Sequence, residues 1–192
     1  AAVDMRAETL EETKQLALTA GGKVETFILD VSDDAKVAAL PSAVEAKLGA
    51  ADALINNAGI IQPFVPIKDL TIQQAEKVMN VNFYGPFTLI KAFLPGLLAR
   101  PEAHILNVSS MGAYAPVPGQ SVYGASKAAI KLLTEGLRSE LMGTNVGVTV
   151  VFPGAVATNI TTNSGLAMPD VDVDSSKFKS LPAPIAAKKM VD

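Results

Sequence analysis

Four short apolar runs alternate with helical segments, and each run ends on a polar cluster. The runs are Val24–Leu29, Ala53–Ile55, His104–Val108 and Val146–Phe152. None alternates apolar with polar residues, so none reads as a strand with one face in water. Such strands belong to a parallel sheet covered on both faces. Between them lie Leu10–Ala20, stopped by Gly21-Gly22, and a helix from about Ser32, whose hydroxyl can cap it, to Leu48. A long helical region follows over Thr71–Ala99, with Pro86 and Pro95 as bends or boundaries, then Ser121–Met142, and a last helix from near Pro184. The pattern predicts one α/β domain over residues 1–192 with no internal repeat. The clusters at the strand ends are Asp30, Asn56–Gly59, Ser109-Ser110 and Pro153-Gly154. Open α/β sheets bind ligands along that edge, so these clusters should line one crevice.

Composition narrows the function. The net charge is −3, which offers no basic field for nucleic acid. The chain has no cysteine, which removes disulfides and thiolate chemistry and fits a reducing cytoplasm. One histidine, His104, cannot make a histidine cluster for a metal, and a strand-start histidine is expected to be structural. Charges at Arg6, Glu8, Glu11 and Glu12 break any apolar opening. Lys91 and Pro95 interrupt Phe83–Leu98, and Pro153 and glycines punctuate Val146–Ala157, so neither makes a membrane span. Ser164–Pro184, with three Pro and three Asp, has no clear period and reads as a flap.

Tyr123 and Lys127 lie four apart on a predicted helix and share a face. An ammonium beside a phenol favours the phenolate, which would let the tyrosine take a proton from an alcohol or return it to a carbonyl. Ser110, 13 residues earlier at a strand end, could hold the substrate oxygen against that phenol. Tyrosine and lysine at this spacing also describe an ordinary surface pair. Ser109-Ser110 after a strand, with Gly-Ala-Ser inside the Tyr–Lys interval, favours chemistry.

Tyr123-Gly-Ala-Ser-Lys127, Asn56-Asn-Ala-Gly59, Ile105-Leu-Asn-Val-Ser-Ser110 and Pro153-Gly154 with Thr158 resemble the short-chain dehydrogenase/reductase family, in the subgroup termed classical. Their order and spacing match from about residue 3 to the end. The resemblance implies a three-layer, Rossmann-like, doubly wound parallel sheet and a nicotinamide-dependent oxidoreductase. It makes Tyr123 the acid/base, Ser110 the substrate-oxygen partner, and Lys127 a binder of the nicotinamide ribose. Asn82 would hold a water in a proton relay, with Asn80 a bystander. Asp30 and Val31 would contact adenine, and Asn56, Ala58 and Gly59 would border the adenosine, with Asn56 also tying strands together. Pro153, Gly154, Val156 and Thr158 would enclose the nicotinamide. Ala1–Asp4 would end the second strand, where Asp4 accepts from the ribose hydroxyls and favours NAD, while Arg6 nearby raises NADP as the alternative.

The resemblance further implies a first strand with a glycine-rich phosphate-binding turn and a last strand. Neither is in the sequence, so it is expected to be part of a longer chain, incomplete at both ends. Three functions follow. One is interconversion of a secondary alcohol and a ketone, with Met111, Ala113, Tyr114, Val117 and the 160–184 flap lining the pocket. The second is reduction of 3-oxoacyl groups on a carrier protein, disfavoured by the long flap and Asp4. The third is a catalytically silent binding or assembly role. The resemblance also implies a homodimer or homotetramer packed through Thr71–Ala99 and Ser121–Met142.

Overall fold

The structure is a computed structural model that describes residues 1–166 and 180–191. Strand β1 (Ala2–Asp4) pairs in parallel with β2 (Thr26–Ile28), joined by helix α1 (Ala7–Thr19). Helix α2 (Asp34–Leu48) leads to β3 (Ala53–Asn56). Helix α3 (Ile72–Met79), a π-helical turn (Asn80–Tyr84) and helix α4 (Gly85–Leu98) follow in one run to β4 (Ala103–Val108). Helix α5 (Ser121–Glu140) then leads to β5 (Val146–Val151). Strands β3, β4 and β5 form a parallel sheet in that order, in register at Asn56↔Asn107 and Val108↔Val151. Beyond it, β6 (Val156–Ala157) pairs with β7 (Leu181–Pro182), and the short α6 (Ile160–Asn163) and α7 (Ala183–Val191) complete the described elements.

The core explains the layering. Val37, Leu40 and Val44 of α2, Leu89, Ile90, Phe93 and Leu97 of α4, and Leu137 of α5 meet Ile105, Val146 and Val148 in one apolar cluster. Two successive parallel crossovers in the same direction, through α4 and α5, must lie on one face if both are right-handed. Val3 and Phe27 join this cluster from β1 and β2, whereas Leu10 of α1 is buried outside it. The fold is therefore a parallel α/β sheet with helical layers, as the periodicity predicts. The opposite face of β3–β5 is more open than the apolar runs suggest. Ile55 is 53% exposed there, and His104 is exposed with Nε2 2.8 Å from Thr149 Oγ1.

Local chemistry moves some boundaries. Ser32 does not cap α2, because its N–H and hydroxyl both donate to Asp30 Oδ1 (2.9 and 2.7 Å). Asp33 is the cap instead, accepting from Lys36 N at 3.1 Å. In the Thr71–Ala99 region the interruption is the π turn at Asn80–Tyr84, with Pro86 in the first turn of α4 directly behind it. Pro86 therefore marks a boundary, while Pro95 lies inside that helix. Of the expected flap only the two ends are described, and its middle, 167–179, lies outside the described residues. No helix among the described residues is long and apolar enough to cross a membrane.

Candidate active site

Helix α5 presents Tyr123 and Lys127 on its inward face, beside buried Gly124 and Ser126. Ser110 lies two residues past the end of β4 and caps a 3-10 turn (Met111–Ala113), with its Oγ accepting from Gly112 N at 3.0 Å. That bond occupies an acceptor site and leaves the Ser110 proton free to be donated. A Cβ on Gly112 would lie 3.4 Å from both Ser110 Oγ and Tyr123 Cε1, so the two hydroxyl-bearing residues converge across a bare glycine. Gly124 has the same function from the helix side: a Cβ there would meet Gly112 O at 3.0 Å and Pro116 Cβ at 2.9 Å.

Electrostatics departs from the sequence expectation at Tyr123. Burial pushes its phenol above the ordinary range, and a hydrogen bond with Ser110 opposes the shift. Lys127 does not lower it. Its Nζ donates to Val108 O at 2.9 Å and stands 5.9 Å from the centre of the tyrosine ring. Burial drives the lysine itself down to about 8. The four-residue spacing puts both side chains on one face. The β4 carbonyl then turns the ammonium away, and burial disfavours the charged form of each group.

Asn82 sits in the π turn, 1% exposed, with its amide fully engaged. Its Oδ1 accepts from Ile60 N (2.9 Å), and its Nδ2 donates to Ile60 O (2.9 Å) and Ser126 Oγ (3.0 Å). The side chain thus clamps the loop after β3 onto the Tyr123 helix. Gly59 lies in that loop, where a Cβ would come 3.2 Å from Lys127 Nζ. Asn56 is buried and donates to Asn107 Oδ1 (2.8 Å), whose own amide donates to Thr134 Oγ1 (2.9 Å), tying β3, β4 and α5 together. Ser109, beside Ser110, is buried and donates to Lys127 O at 2.7 Å.

The outer residues divide. Pro153 reaches the cluster because its carbonyl accepts from Met111 N at 2.9 Å. Met111 and Tyr114 are exposed beside it, with Tyr114 packed 5.0 Å from the Phe152 ring. Val156 pairs with Leu181 at the base of the flap, while Gly154, Thr158 and Ala58 are exposed. Asp4 closes β1 and holds Arg6 through its backbone N–H (3.0 Å) and guanidinium (3.5 Å). Arg6 also bonds Asn163 of α6, and Ser164 Oγ accepts from Ile61 N at 2.9 Å. Asp30 is taken up by its own turn with Ser32. Val31 is buried in the core, and a Cβ on Gly85 would lie 2.9 Å from its Cγ2.

A family model for the short chain dehydrogenases matches residues 1–168. The chain belongs to the short-chain dehydrogenase/reductase family. Dehydrogenase/reductase SDR family member 7B of Mus musculus is 34% identical over 178 residues, covering 91% of the chain and 53% of that protein. The protein EphD of Mycobacterium tuberculosis is 38% identical over 170 residues, 88% of the chain but 28% of its own length. The chain therefore spans from about a quarter to about half of these relatives. Among solved structures, an NAD+-bound xylitol dehydrogenase superposes with a TM-score of 0.78 at 29% identity, covering 81% of this chain and 60% of that one. A gluconate 5-dehydrogenase from Burkholderia cenocepacia, in complex with NADP and tartrate, gives 0.77 at 26% identity over 84% and 63%. These neighbours carry the Rossmann-type α/β fold.

One residue beside the start of α5, Gln62, escapes sequence reasoning. Gln62 is 1% exposed, and its Oε1 accepts from both Val122 N (2.8 Å) and Tyr123 N (3.0 Å) at the start of α5. The available signal was negative: the residue before the helix is Gln120, a poor cap, and it makes no side-chain cap bond.

Proposed function

We propose that the chain interconverts a secondary alcohol and a ketone with a nicotinamide nucleotide. The observation that carries the reading is the convergence of the Ser110 hydroxyl and the Tyr123 phenol across Gly112, with Lys127 behind them. In the reductive direction Ser110 donates a hydrogen bond to the carbonyl oxygen and orients it. Tyr123 then passes its phenolic proton to that oxygen as the carbonyl carbon is reduced, and in oxidation the phenolate recovers it. A phenol raised by burial is protonated at neutral pH, which suits the donor role. When bound, the nucleotide would supply or accept the hydride at the carbinol carbon.

The residues fit such a nucleotide. Gly59 leaves the space beside Lys127 Nζ free of a side chain, so ribose hydroxyls could reach the amine there. Lys127 spends one of its donors on Val108 and keeps the others. Pro153, Gly154, Val156 and Thr158 would border the nicotinamide, and Asp4 the adenosine ribose. Asp4 favours NAD, because a carboxylate accepts from a 2′-hydroxyl and repels a 2′-phosphate. Arg6, paired with Asp4, is the group that would make NADP acceptable. Met111 and Tyr114 would receive the apolar part of the substrate. Fluorescence titration of the intact protein with NADH and NADPH, followed by turnover assays over ketones and acyl thioesters, tests the reading. Tighter NADH binding with ketone turnover is expected. Binding of neither nucleotide would leave a silent assembly role, and turnover of acyl thioesters alone would make it a 3-oxoacyl reductase.

A further inference from the structure

We infer that Gln62 is a positioning residue for Tyr123: its side-chain oxygen caps helix α5 from a distant loop and fixes the depth at which the tyrosine enters the site. The inference rests on the oxidoreductase reading above. Helix α5 begins at Ser121, so Val122 and Tyr123 are its second and third residues, whose N–H groups have no partner within the helix. A Ser, Thr, Asp or Asn before Ser121 would ordinarily take them. Gln120 stands there and does not. Its Nε2 instead donates to Gln62 O at 2.8 Å, so the two glutamines clasp each other's segments in opposite directions. Gly119 lets the segments close: it has φ +78°, and a Cβ would lie 3.3 Å from the Phe64 and Val65 backbone.

The position is not explained by packing alone. Gln62 Nε2 is buried without a hydrogen-bond partner. Burying an unpaired amide costs on the order of 1–3 kcal/mol, so an apolar side chain would suit this site better unless the oxygen were needed. What the oxygen touches is the backbone of the residue that moves the proton. The same loop is pinned at Ile60 by Asn82, whose other bond reaches Ser126 on α5. Gln62 and Asn82 therefore hold Tyr123 and Lys127 at a set distance from Gly59. Reacting groups tolerate little misplacement, and a shift of about 1 Å can cost roughly 100-fold in rate.

Three measurements on the intact protein test this. Amide exchange of the wild type should show Val122 and Tyr123 as slow as residues inside α5, and exchange at the rate of a frayed helix end would overturn the tether. Gln62→Met keeps the length of the side chain and removes the acceptor. Its kcat should fall at least about tenfold with KM for nucleotide nearly unchanged. Gln62→Glu, which keeps an acceptor oxygen, should recover most of that loss. A Gln62→Met protein with a lower Tm but wild-type kcat would show a structural role only and refute the inference. If Gln62→Met does not fold, Gln62→Glu and the wild-type exchange rates still decide it. Absence of turnover in the wild type would instead sink the oxidoreductase reading, and the exchange rates would still report on the tether.

Discussion

At the scale of single residues, the site is defined by two groups that burial pushes in opposite directions. Tyr123 is held above its ordinary range and Lys127 is lowered to about 8, so burial weakens the charged form of each, although the lysine stays mostly protonated at neutral pH. Tyr123→Phe keeps the ring and removes the proton. Turnover should fall by roughly 10²–10⁴ with nucleotide affinity largely retained; a variant with most of its activity would remove Tyr123 from the chemistry. The lysine also has a stability signature. Its folded value of about 8 lies below the 10.5 of an exposed lysine, so between these pH values the unfolded chain binds more protons. The cost is full below pH 8, roughly 3 kcal/mol, and is relieved as pH rises toward 10.5. Lys127→Met removes that dependence and orphans Val108 O by a pH-independent amount. Urea unfolding of both proteins from pH 7 to 10 should show wild-type stability gaining on the variant above pH 8, and parallel curves would contradict the buried ammonium.

At the scale of elements, close approach of backbone to side chain decides which glycines are replaceable. A Cβ on Gly85 would press on Val31 at 2.9 Å for Cγ2 and 3.2 Å for the carbonyl, both fixed in the core. Gly85→Ala should therefore destabilise by roughly 1–3 kcal/mol despite alanine's better helix propensity. A Cβ on Gly147 would lie nearer still, 2.5 Å from His104 Nδ1, yet that ring is exposed and can swing away at the cost of its bond to Thr149. Gly147→Ala should change stability by less than about 1 kcal/mol, because a strand gains from losing glycine what the hydrogen bond loses. Thermal melts of the pair would reverse the argument if the two glycines ranked the other way. Apolar runs made β3, β4 and β5 legible in the sequence, and helical periodicity made α5 legible, since these patterns are carried by each element's own residues. The π turn and the trans cap from Gln62 were not legible. The first depends on how α3 meets α4, and the second on a contact 60 residues away in the chain.

At the scale of the whole molecule, three of the four polar clusters, Asn56–Gly59, Ser109-Ser110 and Pro153-Gly154, follow strands of the β3–β5 sheet. They come together because parallel strands deliver their ends to one edge, whereas Asp30 follows β2 and is held in its own turn with Ser32. The clusters could not foretell orientation, which is why Lys127 points to Val108 and Val31 to the core. Surface pattern is the remaining whole-chain feature. On α4, Phe87, Lys91, Pro95 and Leu98 are exposed along one stripe, and on α5 Ala125, Leu132, Gly136 and Ser139 form another. Leu132 is 64% and Leu98 42% exposed, and nothing lies within 4 Å of a Cβ on Gly136 or Gly96. Apolar and small residues spaced this way let a second helix approach closely, as expected for a homodimer or homotetramer assembled through α4 and α5. Leu132→Glu places a charge at the centre of that contact without touching Tyr123 or Lys127, which face inward from the same helix. Light scattering should find the wild type as a dimer or tetramer and the variant shifted to monomer, with its circular dichroism unchanged. A wild type that is already monomeric, or a variant that assembles as before, would show that these stripes face solvent or a segment of the same chain instead.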